Sequence, residues 1–319
     1  MAGITPGQGT TFNLPNYTGQ LYGISPAETP FLSSIGGLTG GMDAESTEFE
    51  WQTYDLRTTS AGNTVVEGAA APAGQGRVRA NVTNVVEIHQ SAIEVTYTKM
   101  AATQLKSGSN NAERNPIVDE LNWQVEQELK AIAVDIEKSF ISGAYAKPGT
   151  NATARKTRGI LAAIATNVLA NGGTGRALTK ALVDSLCQTV FDAGGLGRAD
   201  RMVFLVGSKQ KLALTKVYAE SGYYNQAPMS RDIAGVAVDT IVTDFGTYGV
   251  MLDRWMPADQ IALVDLDQCA PVWLPIPGKG RLFVEPIAKT GASEKYQLYG
   301  EVGLKYGAEQ AHGLLKDLL

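Results

Sequence analysis

The chain has two histidines, His89 and His312, and two cysteines, Cys187 and Cys269. General-base catalysis, thiol chemistry and zinc binding would all draw on these four side chains. Their spacing supports none of the three. The cysteines stand 82 positions apart, which makes no zinc ribbon, Cys-x-x-Cys redox pair or disulfide framework. Cys187 recurs at helical spacing with Val183, Val190 and Phe191 and reads as a small core residue. His89 lies within an alternating stretch and His312 near the C-terminus. Both read as hydrogen-bonded structural residues. Asp244, Asp253, Asp265 and Asp267 lack the glycine-spaced acidic loop of a calcium site and read as solvated strand ends.

Phosphate motifs fare no better. Gly207-Ser208-Lys209 lacks the earlier glycine of a phosphate loop, and its Gly-Lys-Ser order is broken. Gly194-Gly195-Leu196-Gly197 follows a helix instead of a strand, with Asp200 where a third dinucleotide glycine would stand. Arg155, Lys156 and Arg158 read as a solvated basic loop. Asn151-Ala152-Thr153 is a sequon, but no signal peptide accompanies it. No catalytic, cofactor-binding or metal-binding residues are assigned.

Composition points the same way. The 319 residues are enough for one to two folding units. Only 18% are charged, and the net charge is −5. An overall field that coats nucleic acid is therefore excluded. No apolar run approaches the ~20 residues of a membrane span. Residues 1–98 contain no lysine and carry a net charge of −6, whereas 99–319 carry +1.

The elements behind these residues are irregularly ordered. The first 43 residues read as an arm with one or two helical turns, from a capping box at Ser25-Pro26-Ala27-Glu28 and a second start at Thr29-Pro30. Gly36-Gly37 stops them. Glu48 to Tyr54 alternates as a strand, and Val82 to Tyr97 as a longer one. Between them, residues 57–80 hold only Val65, Val66 and Val78 as large apolar residues. A hairpin with so little to bury is not stable alone in water, so it must lie on something else. Pro116 to Ser142 reads as one helix of about 40 Å, capped by Asn115 and stopped by Gly143. Ile160 to Leu169 follows as a short strand or turn of helix. Helices are expected from Thr179 to Ala193 and from Ser208 to about Tyr218, with a buried strand at Met202–Val206 between them. A tyrosine-bearing loop, Ser221 to Ser230, precedes strands at 235–243, 248–253 and 261–266. Residues 281–306 alternate in strand fashion. Helix and strand without regular alternation predict an α+β fold. Arm and hairpin need a second copy or a partner to bury against, which is the pattern of an assembly subunit.

Arm, extended loop, long helix, compact domain and returning strands follow the order of the Hong Kong 97 capsid fold of tailed bacteriophages. Short stretches resemble a family of such major capsid proteins common among actinobacteriophages. They are Ile24-Ser25-Pro26-Ala27-Glu28-Thr29-Pro30-Phe31-Leu32, Thr157-Arg158-Gly159-Ile160, Thr243-Asp244-Phe245-Gly246-Thr247 and Ala288-Lys289-Thr290-Gly291, then Gly300-Glu301 and Ala311-His312-Gly313. The resemblance implies a major capsid protein with no enzymatic activity and no cofactor. It implies an N-terminal arm at 1–45 and an extended loop at 46–98. A peripheral domain at 99–177 and 272–319 would carry the spine helix 116–142, and an axial domain would occupy 178–271. The candidate inter-subunit contacts are Phe49, Trp51, Val65, Val66, Arg77, Arg79, Tyr223 and Tyr224. The implied partners are copies of the chain in hexamers and pentamers, a separate scaffolding protein (favoured by the Met1 start), a portal, decoration proteins, and packaged double-stranded DNA bound without sequence specificity. No membrane is implied. The location is the virion capsid, assembled in the host bacterial cytoplasm. The fold's founding member crosslinks its subunits through an extended-loop lysine. Here no lysine precedes Lys99, so no such crosslink is expected. An encapsulin-like compartment and a soluble α+β enzyme are the alternatives.

Overall fold

The computed structural model describes residues 25–55, 64–71, 73–74, 76–101, 117, 119–197, 201–220, 230–233, 236–289 and 291–319. In chain order the elements are α1 (Pro30–Ile35), β1 (Met42–Asp43), β2 (Glu48–Tyr54), β3 (Arg79–Val85), β4 (Glu87–Thr96), α2 (Tyr97–Ala101) and α3 (Glu120–Ser142). Then come α4 (Ile160–Ala163), β5 (Val168–Leu169), α5 (Lys180–Asp192), β6 (Met202–Val206), α6 (Ser208–Glu220), β7 (Ser230–Ile233), β8 (Val236–Thr243), β9 (Gly246–Leu252) and β10 (Ile261–Asp265). The chain closes with β11 (Ala270–Trp273), β12 (Leu282–Pro286), β13 (Ser293–Lys305) and β14 (Gly313–Leu315). The architecture is α+β. Among the described residues no helix is long and apolar enough to cross a membrane.

The chain divides into two compact units. The larger comprises 28–90, 132–283 and 299–319. Its centre is a seven-stranded sheet in the order β5-β14-β10-β6-β9-β8-β7. β6 sits in the middle, and all five of its residues are buried. This is why it reads as an unbroken apolar run instead of alternating. Thr179 caps α5 by accepting a hydrogen bond from the Leu182 amide at 3.4 Å. Gly194, at φ +90°, follows its end. The α5 stripe of Val183, Leu186, Cys187 and Val190 packs in one cluster with Met202, Phe204, Ile261, Leu263 and Leu315. Cys187 is thus a core residue, as its spacing implies, and burial pushes its thiol up to about 12. In the same unit β1 runs parallel to β11, with Met42 opposite Val272, and β11 runs antiparallel to the second half of β13.

The smaller unit comprises 1–27, 91–131 and 284–298. Within it the first half of β13 pairs with β4. The Ser293 hydroxyl donates to Glu94 at 2.6 Å, and Lys295 pairs with Glu94 at 3.1 Å. The Ser91 hydroxyl donates to Glu128 on α3.

Several sequence expectations need correction. Of the two start signals in the arm, α1 uses Thr29-Pro30, while Glu28 of the first pairs with Arg254 at 3.2 Å. The long helix starts at Glu120. Asp119 caps it, accepting from the Asn122 amide at 3.1 Å, while Asn115 and Pro116 lie outside the described residues. The strand expected over 82–97 is two strands divided at Val86, which donates its amide to Thr47 at 3.0 Å. Its side-chain alternation holds, with His89, Ile93 and Val95 buried. The segment 160–169 divides into α4 and β5. Asp253 is not solvated but 0% exposed. His312 accepts at Nδ1 from the Asp265 amide (3.1 Å), and its Nε2 donates to the Tyr306 carbonyl (2.7 Å). His89 departs from expectation, since its buried Nε2 has no hydrogen-bond partner among the described residues. Burial lowers the pKa of both rings.

Candidate inter-subunit surface

The hairpin in the larger unit is made by β2 and β3, which form a two-stranded sheet of their own. They pair antiparallel from Glu48 opposite Val85 to Tyr54 opposite Arg79. Alternation along β2 places Phe49 and Trp51 on one face. That face rests on the body of the same unit. The Trp51 indole donates to the Gly307 carbonyl at 2.7 Å, and its ring meets Tyr306 edge-on at 4.9 Å. Phe49 lies beside Trp51 at 5.9 Å. Gly303 sits beneath the Phe49 ring, where an added Cβ would approach it to 2.7 Å. Only glycine permits this close approach.

The hairpin's root is fixed by polar groups. Asn84 is fully buried. Its amide nitrogen donates to the carbonyls of Leu304 (2.7 Å) and Arg158 (3.2 Å), and its oxygen accepts from the amides of Arg158 (2.9 Å) and Val85 (2.9 Å). The Thr157 hydroxyl accepts from the Leu304 amide at 3.1 Å. Arg158 donates to the Tyr306 hydroxyl at 3.1 Å and covers the Tyr145 ring. Arg155 pairs with Glu301 at 2.8 Å, both mostly buried. Thr157-Arg158-Gly159-Ile160 is therefore a clamp on the root, not a solvated basic loop. Beside it a hollow is lined by Ser46, Glu48, Glu87, Ile88, Lys147 and Arg155. Burial pushes the Glu87 carboxyl up.

Beyond the root the hairpin is open among the described residues. Every described residue from Thr64 to Asn81 is exposed. Tyr54, Val65, Val66 and Val78 are 67%, 67%, 80% and 88% exposed. Arg77 is exposed, and Arg79 reaches Gln52 across the strands at 3.1 Å. Of the eight contact candidates, Phe49 and Trp51 are engaged within their own chain. Val65, Val66, Arg77 and Arg79 are all exposed. Tyr223 and Tyr224 fall outside the described residues. Asn84, Thr157 and Arg158 were missed as functional residues. The available signal was an asparagine inside a strand, a position that strands disfavour, set between Val82 and the Val85-Val86 pair.

Among the described residues, no group of three or more His, Cys, Asp or Glu side chains could hold a metal. What the geometry offers is a hairpin anchored at its root, with Tyr54, Val65, Val66 and Val78 exposed beyond it.

Known proteins share this architecture. The model of the SU10 major capsid protein family matches residues 4–319. The major capsid protein of Escherichia phage Phieco32 is 25% identical, covering 92% of this chain and 90% of that protein. Among solved structures, the capsid of cyanophage A-1(L) superposes with a TM-score of 0.67 at 13% identity, over 97% of this chain and 98% of that one. A structure from Mycobacterium phage Cain gives 0.61 at 15%, over 99% and 98%. The SrpI encapsulin of Synechococcus elongatus gives 0.59 at 13%, over 100% and 96%. The fold is thus the Hong Kong 97 fold shared by phage capsids and encapsulins, and the chain belongs to the SU10 major capsid protein family.

Proposed function

We propose that this major capsid protein, which forms the icosahedral shell of a tailed phage, encloses double-stranded DNA and is joined through its hairpin to neighbouring copies. The observation that carries the reading is the hairpin itself, anchored by Asn84 and Trp51 at its root and exposed from Thr64 to Asn81. Burying a valine or tyrosine from this surface stabilises by roughly 1.5–3 kcal/mol each, which a second copy would supply. Val65, Val66, Arg77 and Arg79 are the contact residues, with Tyr223 and Tyr224 at the axial loops.

In this reading residues 1–45 are the arm, 46–98 the extended loop, 99–177 with 272–319 the peripheral domain and 178–271 the axial domain. The copies form hexamers and pentamers in the host cytoplasm, with a separate scaffolding protein, a portal and decoration proteins as partners. The protein's work is contact geometry, not catalysis. The near-neutral charge of 99–319 supports DNA held without tight, sequence-specific binding.

The encapsulin likeness sustains a second reading, a compartment around a protein cargo. Purified particles treated with nuclease and then boiled in denaturant separate the two. The expected result is protected double-stranded DNA and a single 33.8 kDa capsid band. Protein cargo without DNA would favour the compartment. A ladder of covalent oligomers would contradict the absence of crosslinks expected from a loop without lysine.

A further inference from the structure

Helix α1 begins with a problem common to all helices: its first amide groups have no partner within the helix. Thr29 does not solve it, since its side chain makes no capping bond. The partner comes instead from Glu137 on α3, more than a hundred residues away. Its two oxygens accept the amides of Phe31 (2.8 Å) and Leu32 (2.6 Å). Glu137 is 0% exposed, as is Phe31, and Leu32 is 1% exposed.

A second acid faces this contact. Asp253 is also 0% exposed. Its Oδ1 accepts from the Trp255 amide at 2.8 Å, while its buried Oδ2 has no other partner. The carboxyls of Glu137 and Asp253 stand within hydrogen-bonding reach of each other. Two ionised carboxylates are both acceptors and repel, so they cannot satisfy one another. A single proton between them turns the clash into a charge-assisted hydrogen bond.

Among the described residues no cation takes the proton's place. On α3, Lys138 lies over the Trp255 ring at 4.3 Å and near Asp135 at 3.9 Å. Arg254, next to Asp253, turns to Glu28 at 3.2 Å. Besides α3, the elements packed most closely on α1 are β8, β9, β11 and the turn Leu266–Gln268. Among their charged groups, Asp239 pairs with Lys211, and Asp267 with Arg201 at 2.8 Å. Burial, and then the charge of Asp253, hold Glu137 well above the ordinary carboxylate range.

We infer that one proton shared by Glu137 and Asp253 holds α3 to the turn after β9 and so keeps the seat of α1 closed, and that its loss opens that seat. The anchor belongs to the single chain and does not depend on the shell reading. Its sign follows from linkage. The docked pair holds a proton that the undocked pair gives up once pH passes the ordinary carboxyl range. Docking is therefore strongest in acid and weakens as pH rises toward the raised pKa of the pair.

The test is hydrogen exchange of the Phe31 and Leu32 amides in the full-length chain, corrected for intrinsic rate. Between about pH 6 and pH 8, one linked proton lowers protection about tenfold per unit in the wild type. Glu137→Gln, whose amide can donate to Asp253 without titrating at the loss of one of the two bonds to α1, is expected to lower protection overall and to flatten that slope. A flat wild-type profile, or the same slope in Glu137→Gln, would overturn the inference. Should that variant not fold, Asp253→Asn supplies the same neutral donor. The wild-type infrared spectrum is an independent check. A protonated carboxyl C=O stretch should be present at neutral pH and lost in alkali, and its absence at neutral pH would also overturn the inference.

Discussion

A chain lacking residues 57–80 should fold, melt close to the wild type and fail to build particles. The deletion joins Leu56 to Asn81. The ladder from Glu48 opposite Val85 to Gln52 opposite Asn81 survives, closed by the four residues 53–56. Four-residue hairpin loops are common. All the anchoring contacts remain: Asn84 on Arg158 and Leu304, Trp51 on Gly307, and the aromatic contact of Trp51 with Tyr306. What is lost is the surface carrying Val65, Val66 and Val78, none of which the chain covers itself. Obligate interfaces of this kind bury more than roughly 2,000 Å², so losing one contact arm should abolish assembly outright. Circular dichroism and sedimentation velocity read the two halves of this expectation. Particles of normal size from the deleted chain would remove the hairpin from the assembly mechanism.

Asn84→Asp should be among the most damaging single-atom changes in the larger unit. The asparagine uses both ends of its side chain, giving two hydrogen bonds and receiving two. Aspartate keeps the accepting end but turns the donor into a second acceptor facing the carbonyls of Arg158 and Leu304. Each carbonyl left unsatisfied costs about 1–3 kcal/mol, so a loss of roughly 3 kcal/mol or more is expected from denaturant melts. Acid should restore part of it. A protonated aspartate can donate to one of the two carbonyls, so the variant's deficit should grow as pH rises. A variant as stable as the wild type at neutral pH would show that the root is not held by this residue. Because the root aims the hairpin, the variant should also assemble poorly at temperatures where it is still folded.

The contrast between these two sites shows what sequence can reveal. The hairpin was legible because periodicity and composition are local properties. β2 alternates, residues 57–80 carry almost nothing to bury, and the combination demands a partner. α5 and β6 were legible for the same reason, one from its apolar stripe and N-cap, the other from an unbroken apolar run bounded by charge and glycine. β1, β11 and β14 escaped because two to four residues carry no period, and their existence depends on strands distant in sequence. The break at Val86 escaped because Val82 to Val86 is strand-forming on both sides and no glycine or proline marks the division. The buried polar groups were least legible. Asn84 and Glu137 look like surface residues until the chain brings the partner of the first from 74 positions away and those of the second from 106 and 105, and Asp253 does so until Glu137 faces it. Arg155 and Arg158 misled for that reason too, since a basic loop and a buried clamp read alike without Glu301 and Tyr306.

The most direct measurement is a near-atomic electron-microscopy map of the assembled shell, read at the hairpin. The expected result is that Val65, Val66 and Val78 are buried against a neighbouring copy, while Trp51 keeps its hydrogen bond to Gly307 of its own chain. A shell in which these valines remain open to solvent, or in which the hairpin folds back on its own subunit, would contradict the hairpin as the element that joins one copy to the next.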